Sequence, residues 1–174
     1  MILGAAAALL GASSLMANDD GDSNHGRDRD GKFLVRAELI GYQEVPALST
    51  TASGHFRAWV DTTANTITYR LTYDALEGTV QQSHVHFGQK SVNGGVSFFL
   101  CSNLGNGPVG TQACPPPPAE ITGVITPDLV IGPAGQGIEA AAFAEIVAAM
   151  RDGTAYANVH STKWPGGEIR GQLH

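Results

Sequence analysis

Runs of alternating apolar and polar residues, separated by turn residues, fill most of the chain after residue 32. The first run begins at Phe33, and two more, at 54–61 and 66–73, flank a short polar turn. Period-two alternation is typical of strands with one buried face, and two such runs across a short turn predict a β-hairpin. The same pattern predicts further strands at 80–88, 95–101, 121–125, 154–161 and 168–173.

One helix is predicted late in the chain, over residues 138–151. There Phe143, Ile146, Val147 and Met150 recur at i, i+3, i+4 and i+7, which predicts a single apolar stripe packed against a sheet. About eight short strands with turn signals between them, and one short helix, predict an all-β fold. The expected architecture is an antiparallel β-sandwich or barrel.

Length and composition fit one such domain preceded by a tail. A chain of 174 residues with 43% hydrophobic residues can bury one core. Residues 1–17 are apolar and rich in small residues, which favours a signal-peptide-like segment. The protein would then be exported to the periplasm, the extracellular space or the cell surface. The alternative is an apolar N-terminal helix or anchor. Residues 18–32 are polar and predict a disordered spacer, so the domain spans 33–174.

The net charge limits the classes of partner that we expect, and the two cysteines indicate the redox state of the compartment. A net charge of −6 with ten Lys and Arg residues leaves no surface-wide basic field, so we expect neither nucleic acid nor an anionic membrane as a partner. Cys101 and Cys114 enclose a loop rich in glycine and proline. Such a pair predicts a disulfide in an oxidising compartment, with two free thiols as the alternative.

Three histidines are the strongest candidates for a functional site. His84 and His86 stand two positions apart in one predicted strand, so they project from the same face, and His160 lies in a later strand. Three imidazoles from neighbouring strands suit Cu²⁺ or Zn²⁺. The sequence predicts a transition-metal site, with copper favoured by the divalent affinity order and zinc as the alternative. A metal-free cluster of hydrogen-bonded histidines is the competing interpretation.

The pattern leaves the fourth ligand open. His55, Glu44, Glu168 and a water molecule are the candidates. Alternation in the last strand puts Glu168 and Arg170 on one face, so these side chains would pair with each other, or Glu168 would orient an imidazole as a hydrogen-bond acceptor.

Taken in order, the motifs resemble the CHRD domain, named after chordin. The matching blocks are residues 37–46, Gly54, residues 69–73, residues 84–88, Asn93-Gly94, Gly123, residues 153–161 and residues 165–173. The resemblance implies an exported immunoglobulin-like β domain, found in animal chordin and as a stand-alone module of bacterial secreted proteins. Its motif adds Asn158 and Arg170 to the polar positions around the histidines. The long 101–118 loop and His55 depart from the general pattern.

Three functions compete at this point. The first is a secreted module that binds a transition-metal ion through the three histidines. The second is a metal-free interaction or matrix module whose partner is another extracellular protein. The third is a superoxide-dismutase-like copper enzyme, because copper/zinc superoxide dismutase also places a His-x-His strand in a β-sandwich. The sequence shows no second histidine cluster, no nucleophile motif and no phosphate-binding loop, which favours binding over catalysis.

Overall fold

Eight strands form a single antiparallel sheet in the computed structural model, which describes residue 1 and residues 30–174. In chain order the strands are β1 Lys32–Ile40, β2 Ser53–Asp61, β3 Thr66–Asp74, β4 Val80–Phe87, β5 Gly95–Ser102, β6 Ala119–Ile125, β7 Ala155–Ser161 and β8 Ile169–Gln172. Their order across the sheet is β5-β4-β7-β8-β1-β2-β3-β6. The described residues also contain one α-helix, α1 Phe143–Arg151, and three 3-10 turns, Gly41–Gln43, Pro127–Leu129 and Ala134–Gln136.

The sheet curls into a nearly closed barrel. Its edge strands are β5 and β6. Tyr69 lies in β3, the strand next to β6, and its hydroxyl donates a 2.7 Å hydrogen bond to the carbonyl oxygen of Leu100 in β5. The two edges therefore approach each other. The prediction of an antiparallel β-sandwich or barrel is confirmed, and one continuous sheet realises it in barrel form.

The alternation of apolar and polar residues along β1, β2 and β3 determines which side chains fill the inside of the barrel. Leu39, Phe56 and Leu71 are fully buried, one on each of β1, β2 and β3, and belong to one continuous apolar core. Burial of a side chain of this size contributes about 1.5 to 3 kcal/mol. The outward side chains of β1, β2 and β3 are mostly exposed, as the period-two pattern predicts.

Strand β7 differs because it is buried on both faces. Ala157 and Val159 face the apolar core. The alternate residues Tyr156, Asn158 and His160 therefore lie on the outer face, and they too are at most 6% exposed. Loops must cover this part of the outer face, and the polar side chains beneath them form the candidate site.

Helix α1 is shorter than predicted. It begins at Phe143 rather than at residue 138. Ala141 has a φ of 64°, outside the helical region, and its backbone N–H donates to the carbonyl of Val130. The preceding residues are therefore held in a turn against the 127–133 segment. The predicted apolar stripe is confirmed, since Phe143, Ile146, Val147 and Met150 are all buried.

The disulfide between Cys101 and Cys114 is confirmed. It ties β5 to the segment that leads into β6, across the seam of the barrel. The predicted signal-like segment 1–17, apart from its first residue, and residues 18–29 of the predicted spacer lie outside the described residues. Strand β1 already begins at Lys32. None of the helices in the described part of the chain is both long enough and apolar enough to cross a membrane.

Replacing both cysteines by alanine is expected to lower the free energy of unfolding by about 3 kcal/mol, because the bridge restricts the unfolded chain. Urea titration monitored by far-UV circular dichroism measures the loss. The reduced wild type should match the double variant. Equal urea midpoints for the oxidised wild type and the double variant would contradict this prediction.

Candidate metal centre

Strands β4 and β7 lie side by side and bring the histidines together. His84 pairs with Asn158, His86 with Tyr156, and Gln82 with His160, so His160 lies diagonally across from His84. Diagonal neighbours on one face are within reach of long side chains. The register of β4 against β5 shifts beside both His84 and His86, and such irregularities are used to re-aim side chains.

The three imidazole rings converge on one point. One ring nitrogen of each residue lies within 4.8 Å of the other two. His84 Nδ1 and His160 Nε2 are 3.2 Å apart, close to the spacing of about 3 Å expected for two ligands with bonds of 2.0–2.1 Å to one ion. His84, His86 and His160 are 3%, 8% and 6% exposed. The predicted convergence is confirmed, and the presence of an ion stays a prediction.

Two backbone carbonyls determine which ring nitrogen of His86 and of His160 keeps a lone pair for a metal ion. His86 Nδ1 lies 3.0 Å from the carbonyl oxygen of Gly94, and His160 Nδ1 lies 3.0 Å from that of Pro165. A carbonyl oxygen only accepts, so both Nδ1 atoms carry the proton and both Nε2 atoms carry a lone pair. His86 Nε2 is buried without a hydrogen-bond partner. This is the arrangement in which metal-binding histidines are usually held.

Asn158 places an oxygen beside the same point. Its Oδ1 lies 3.0 Å from His160 Nε2. Asn158 also interacts with the buried carboxyl group of Glu44 and contributes to lowering its pKa, against the larger effect of burial. Two lone pairs then face each other at the spacing of two ligands of one cation. In the metal-free protein, His84 Nδ1 can donate its proton to His160 Nε2.

Burial keeps these imidazoles neutral. Desolvation lowers the pKa of His84 to about 2, with further lowering by His160 and His86. Desolvation also lowers the pKa of His86 to about 4 and lowers that of His160. Neutral imidazole is the form that binds a metal ion. The cluster is therefore ready to bind at neutral pH without first losing protons.

Arg170 and Tyr156 support His86 from the side. The Tyr156 ring stacks on the His86 ring at 4.7 Å, and the guanidinium carbon of Arg170 lies 3.4 Å from the Tyr156 ring centroid. Because β7 lies between β4 and β8, the two contacts come from opposite sides of Tyr156. The cation–π contact and the stacking fix the plane of the His86 ring.

The same arginine holds the loop that anchors His86, here called the 88–94 loop. Its guanidinium donates to the carbonyls of Gln89 and Val92, at 3.2 and 2.9 Å, and to Asn93 Oδ1 at 3.3 Å. Gly94, at the end of the loop, supplies the carbonyl that accepts from His86. Arg170 thus acts on the site through the loop rather than by contact with the metal position.

Glu44 is a buried acidic group that faces Arg170. It is 7% exposed, and desolvation raises its pKa to about 7 against the opposing attraction of Arg170. The carboxyl group therefore titrates near neutral pH. Of the predicted fourth ligands, Glu44 is buried, but it is not among the side chains whose ligand atoms converge, which are those of the three histidines.

Two of the predicted fourth-ligand positions lie elsewhere. His55 is exposed on β2, outside the buried cluster. Glu168 is fully buried, but its Oε1 accepts from the Thr50 hydroxyl at 2.9 Å and from the backbone N–H of Glu77 at 2.7 Å. It neither orients an imidazole nor pairs with Arg170, whose donors are used by the 88–94 loop. Glu168 precedes β8, which begins at Ile169, and the predicted Glu168–Arg170 pairing was wrong.

Sequence reasoning missed Tyr156, Gly94 and Pro165 as parts of the site. Tyr156 could have been found, because it lies on the same strand face as Asn158 and His160. Gly94 and Pro165 act through their backbone carbonyls, which no side-chain pattern reveals.

Replacing Gly94 by alanine is expected to displace the 88–94 loop, because the added Cβ would overlap the carbonyl group of Phe87. His86 would lose its anchor, and loss of such a contact weakens metal binding about 10- to 100-fold. Copper titration measures the affinity. Gly135→Ala is the matched control, since its Cβ would meet no atom within 4 Å. Unchanged copper affinity in Gly94→Ala would show that the anchor does not matter.

Comparison with known proteins gives one family match. The model of the CHRD domain matches residues 35–173, which is nearly the whole chain. No curated protein and no solved structure matches the chain. The matched region contains all eight strands except the first residues of β1, and it contains the whole histidine cluster.

Proposed function

Because the chain belongs to the CHRD domain family, we propose that it is an exported binding module that holds one divalent transition-metal ion, copper in preference, through His84, His86 and His160. One observation carries the proposal: three buried, neutral imidazoles meet within 4.8 Å, and backbone carbonyls turn the Nε2 atoms of two of them free for an ion. The disulfide is compatible with export, since such bridges persist in oxidising compartments.

The donor set supports copper ahead of zinc. Both cysteines are used in the disulfide, so the described cluster offers imidazole nitrogens and the amide oxygen of Asn158. For nitrogen and oxygen donors, Cu²⁺ has the highest affinity among the divalent first-row ions. Zn²⁺ also accepts three histidines and a fourth oxygen ligand, and it is the alternative.

Burial favours holding an ion over turning over a substrate. The three histidines are at most 8% exposed, and the 88–94 loop contacts His86 through the carbonyl of Gly94. Among residues 30–174 they form one cluster of ligand-type side chains, without a second cluster to bridge to. A superoxide-dismutase-like activity therefore has less support than binding.

Copper titration of the metal-free protein tests the proposal. We expect one equivalent to bind at neutral pH, with an electron paramagnetic resonance spectrum typical of type-2 copper and nitrogen ligands. At a free copper concentration about a thousand times the Kd, the folded state gains about 4 kcal/mol, so the melting temperature rises clearly.

His86→Ala and His160→Gln should lose both the spectrum and the stabilisation, with folding checked by circular dichroism. His55→Ala is the matched control, because His55 is an exposed histidine on the same sheet, and it should behave as the wild type. Equal loss of copper binding in His55→Ala and His86→Ala would refute the site. A metal-free interaction module would then be the better interpretation.

A further inference from the structure

A row of three exposed arginines crosses the outer face of the sheet on β1, β2 and β3. Arg36 pairs directly with Arg57, and Arg57 pairs directly with Arg70. All three side chains point away from the core and are exposed. Neighbouring strands are about 4.8 Å apart, so the row repeats a positive charge at that interval over about 10 Å.

This arginine row is expected to lower the stability of the unbound protein. Like charges directly opposite each other on adjacent strands destabilise a sheet. Arg70 pairs with Glu120 at 2.6 Å, but no carboxylate of the described residues lies within ion-pair distance of Arg36 or Arg57. The chain as a whole carries a net charge of −6, so the row is a local basic patch on an acidic protein. Sequences depart from the rules of stable folding most often at functional sites.

A second row lies beside the first, two residues further along each strand, which is about 7 Å away. Leu34, Trp59, Thr68 and Val124 follow one another across β1, β2, β3 and β6. Trp59 is 48% exposed, and Leu34 and Val124 are 37% and 50% exposed. The face therefore presents a half-exposed indole ring next to unneutralised guanidinium groups.

We propose that this face binds an anionic polysaccharide laid across the strands. Its carboxylate or sulfate groups would bind Arg36 and Arg57, and the apolar face of a sugar ring would pack on Trp59. Guanidinium groups match such anions with two parallel hydrogen bonds. The regular strand spacing suits a linear polymer with a charge on successive sugars. Three arginines are too few for the phosphate contacts that nucleic-acid binding requires.

The test uses the intact protein in EDTA, so that metal ions take no part, with alginate and dextran sulfate as the anionic probes. We expect at least one of the two to change the tryptophan fluorescence and to bind more weakly as salt is added, while neutral dextran does not bind. Which probe binds tells whether carboxylate or sulfate is preferred. Arg57→Gln should weaken binding about tenfold or more, the effect of losing a charge-assisted hydrogen bond.

Matched variants separate this surface from general charge effects. Lys90→Gln removes an exposed positive charge elsewhere and should leave binding unchanged. Trp59→Ala should weaken polysaccharide binding and abolish the fluorescence change. Arg57→Gln should melt at the same temperature as the wild type or higher, because it relieves the repulsion within the row.

Three results would overturn the proposal: no binding of either anionic polymer, equal binding of neutral dextran, or no effect of Arg57→Gln. Polyglutamate that binds as tightly as alginate, without dependence on Trp59, would also overturn it and indicate an acidic protein as the partner.

Discussion

Replacing Arg170 by methionine is expected to lower the free energy of unfolding by about 3 to 5 kcal/mol. The side chain is 1% exposed, and its guanidinium satisfies two carbonyls and one amide oxygen of the 88–94 loop. Methionine fills much of the same volume but leaves those acceptors without a donor. It also removes the charge that faces the buried Glu44.

Urea titration of the metal-free protein measures this loss. Arg57→Met is the matched control, since it makes the same change at an exposed position and should alter the free energy of unfolding by less than about 0.5 kcal/mol. Arg170→Lys keeps the charge but loses the planar fork and the stacking on Tyr156, so it should restore less than half of the loss. A wild-type urea midpoint in Arg170→Met would contradict the structural role proposed for this residue.

Arg170→Met should also weaken metal binding. Arg170 holds the 88–94 loop, and that loop carries the carbonyl that anchors His86. Copper affinity should fall about tenfold or more, the usual effect of losing a contact that orients a ligand. In Arg57→Met it should not change.

The face and spacing of the histidines could be predicted from the sequence because they depend on a local rule. A strand repeats every two residues, so His84 and His86 had to share a face. That β4 lies next to β7 depends on pairing between residues 68 to 81 positions apart, which no local pattern encodes. The prediction that His160 joins the first two therefore assumed that the two strands are neighbours, and the structure confirms it.

The burial of the site could not be predicted in this way. Alternation treats the outer face of a sheet as the solvent side, which holds for β1, β2 and β3. On β7 the rule fails because residues outside the strands cover the outer face. Loops have no periodicity, and their backbone carbonyls leave no mark in the sequence. The partners of Arg170 and the role of Glu168 were misjudged for this reason.

The metal-free protein is expected to lose stability steeply in acid. Burial holds the pKa of His84 at about 2 and that of His86 at about 4, against 6.5 for both in the unfolded chain. Since these folded-state pKa values are depressed, the unfolded chain binds protons first. The stability that the neutral imidazoles contribute is complete above pH 6.5 and is lost as the pH falls. Each pKa unit corresponds to about 1.4 kcal/mol.

Glu44 acts in the opposite direction. Burial raises its pKa from 4.5 to about 7, so the contribution of this group is complete below pH 4.5 and is lost as the pH rises through 7. Between pH 7 and pH 4.5 the two histidines together lose about 5 kcal/mol and Glu44 gains about 2.6 kcal/mol, so Glu44 offsets about half of the loss. We therefore expect a moderate decline over this range that steepens below pH 4.5, where Glu44 no longer offsets the histidines.

Glu44→Gln separates the two effects, because glutamine has the shape of the protonated acid and does not titrate. Its stability should begin to fall near pH 6.5 and should have dropped by about 5 kcal/mol at pH 4.5, while the wild type loses about half as much. Urea midpoints measured in EDTA at each pH give both curves. Because the imidazoles that drive the fall are also the proposed ligands, bound copper should steepen the acid loss in both proteins. Parallel curves for the wild type and Glu44→Gln would show that Glu44 does not titrate in this range. A flat curve for Glu44→Gln down to pH 4.5 would show that burial does not hold the histidines neutral.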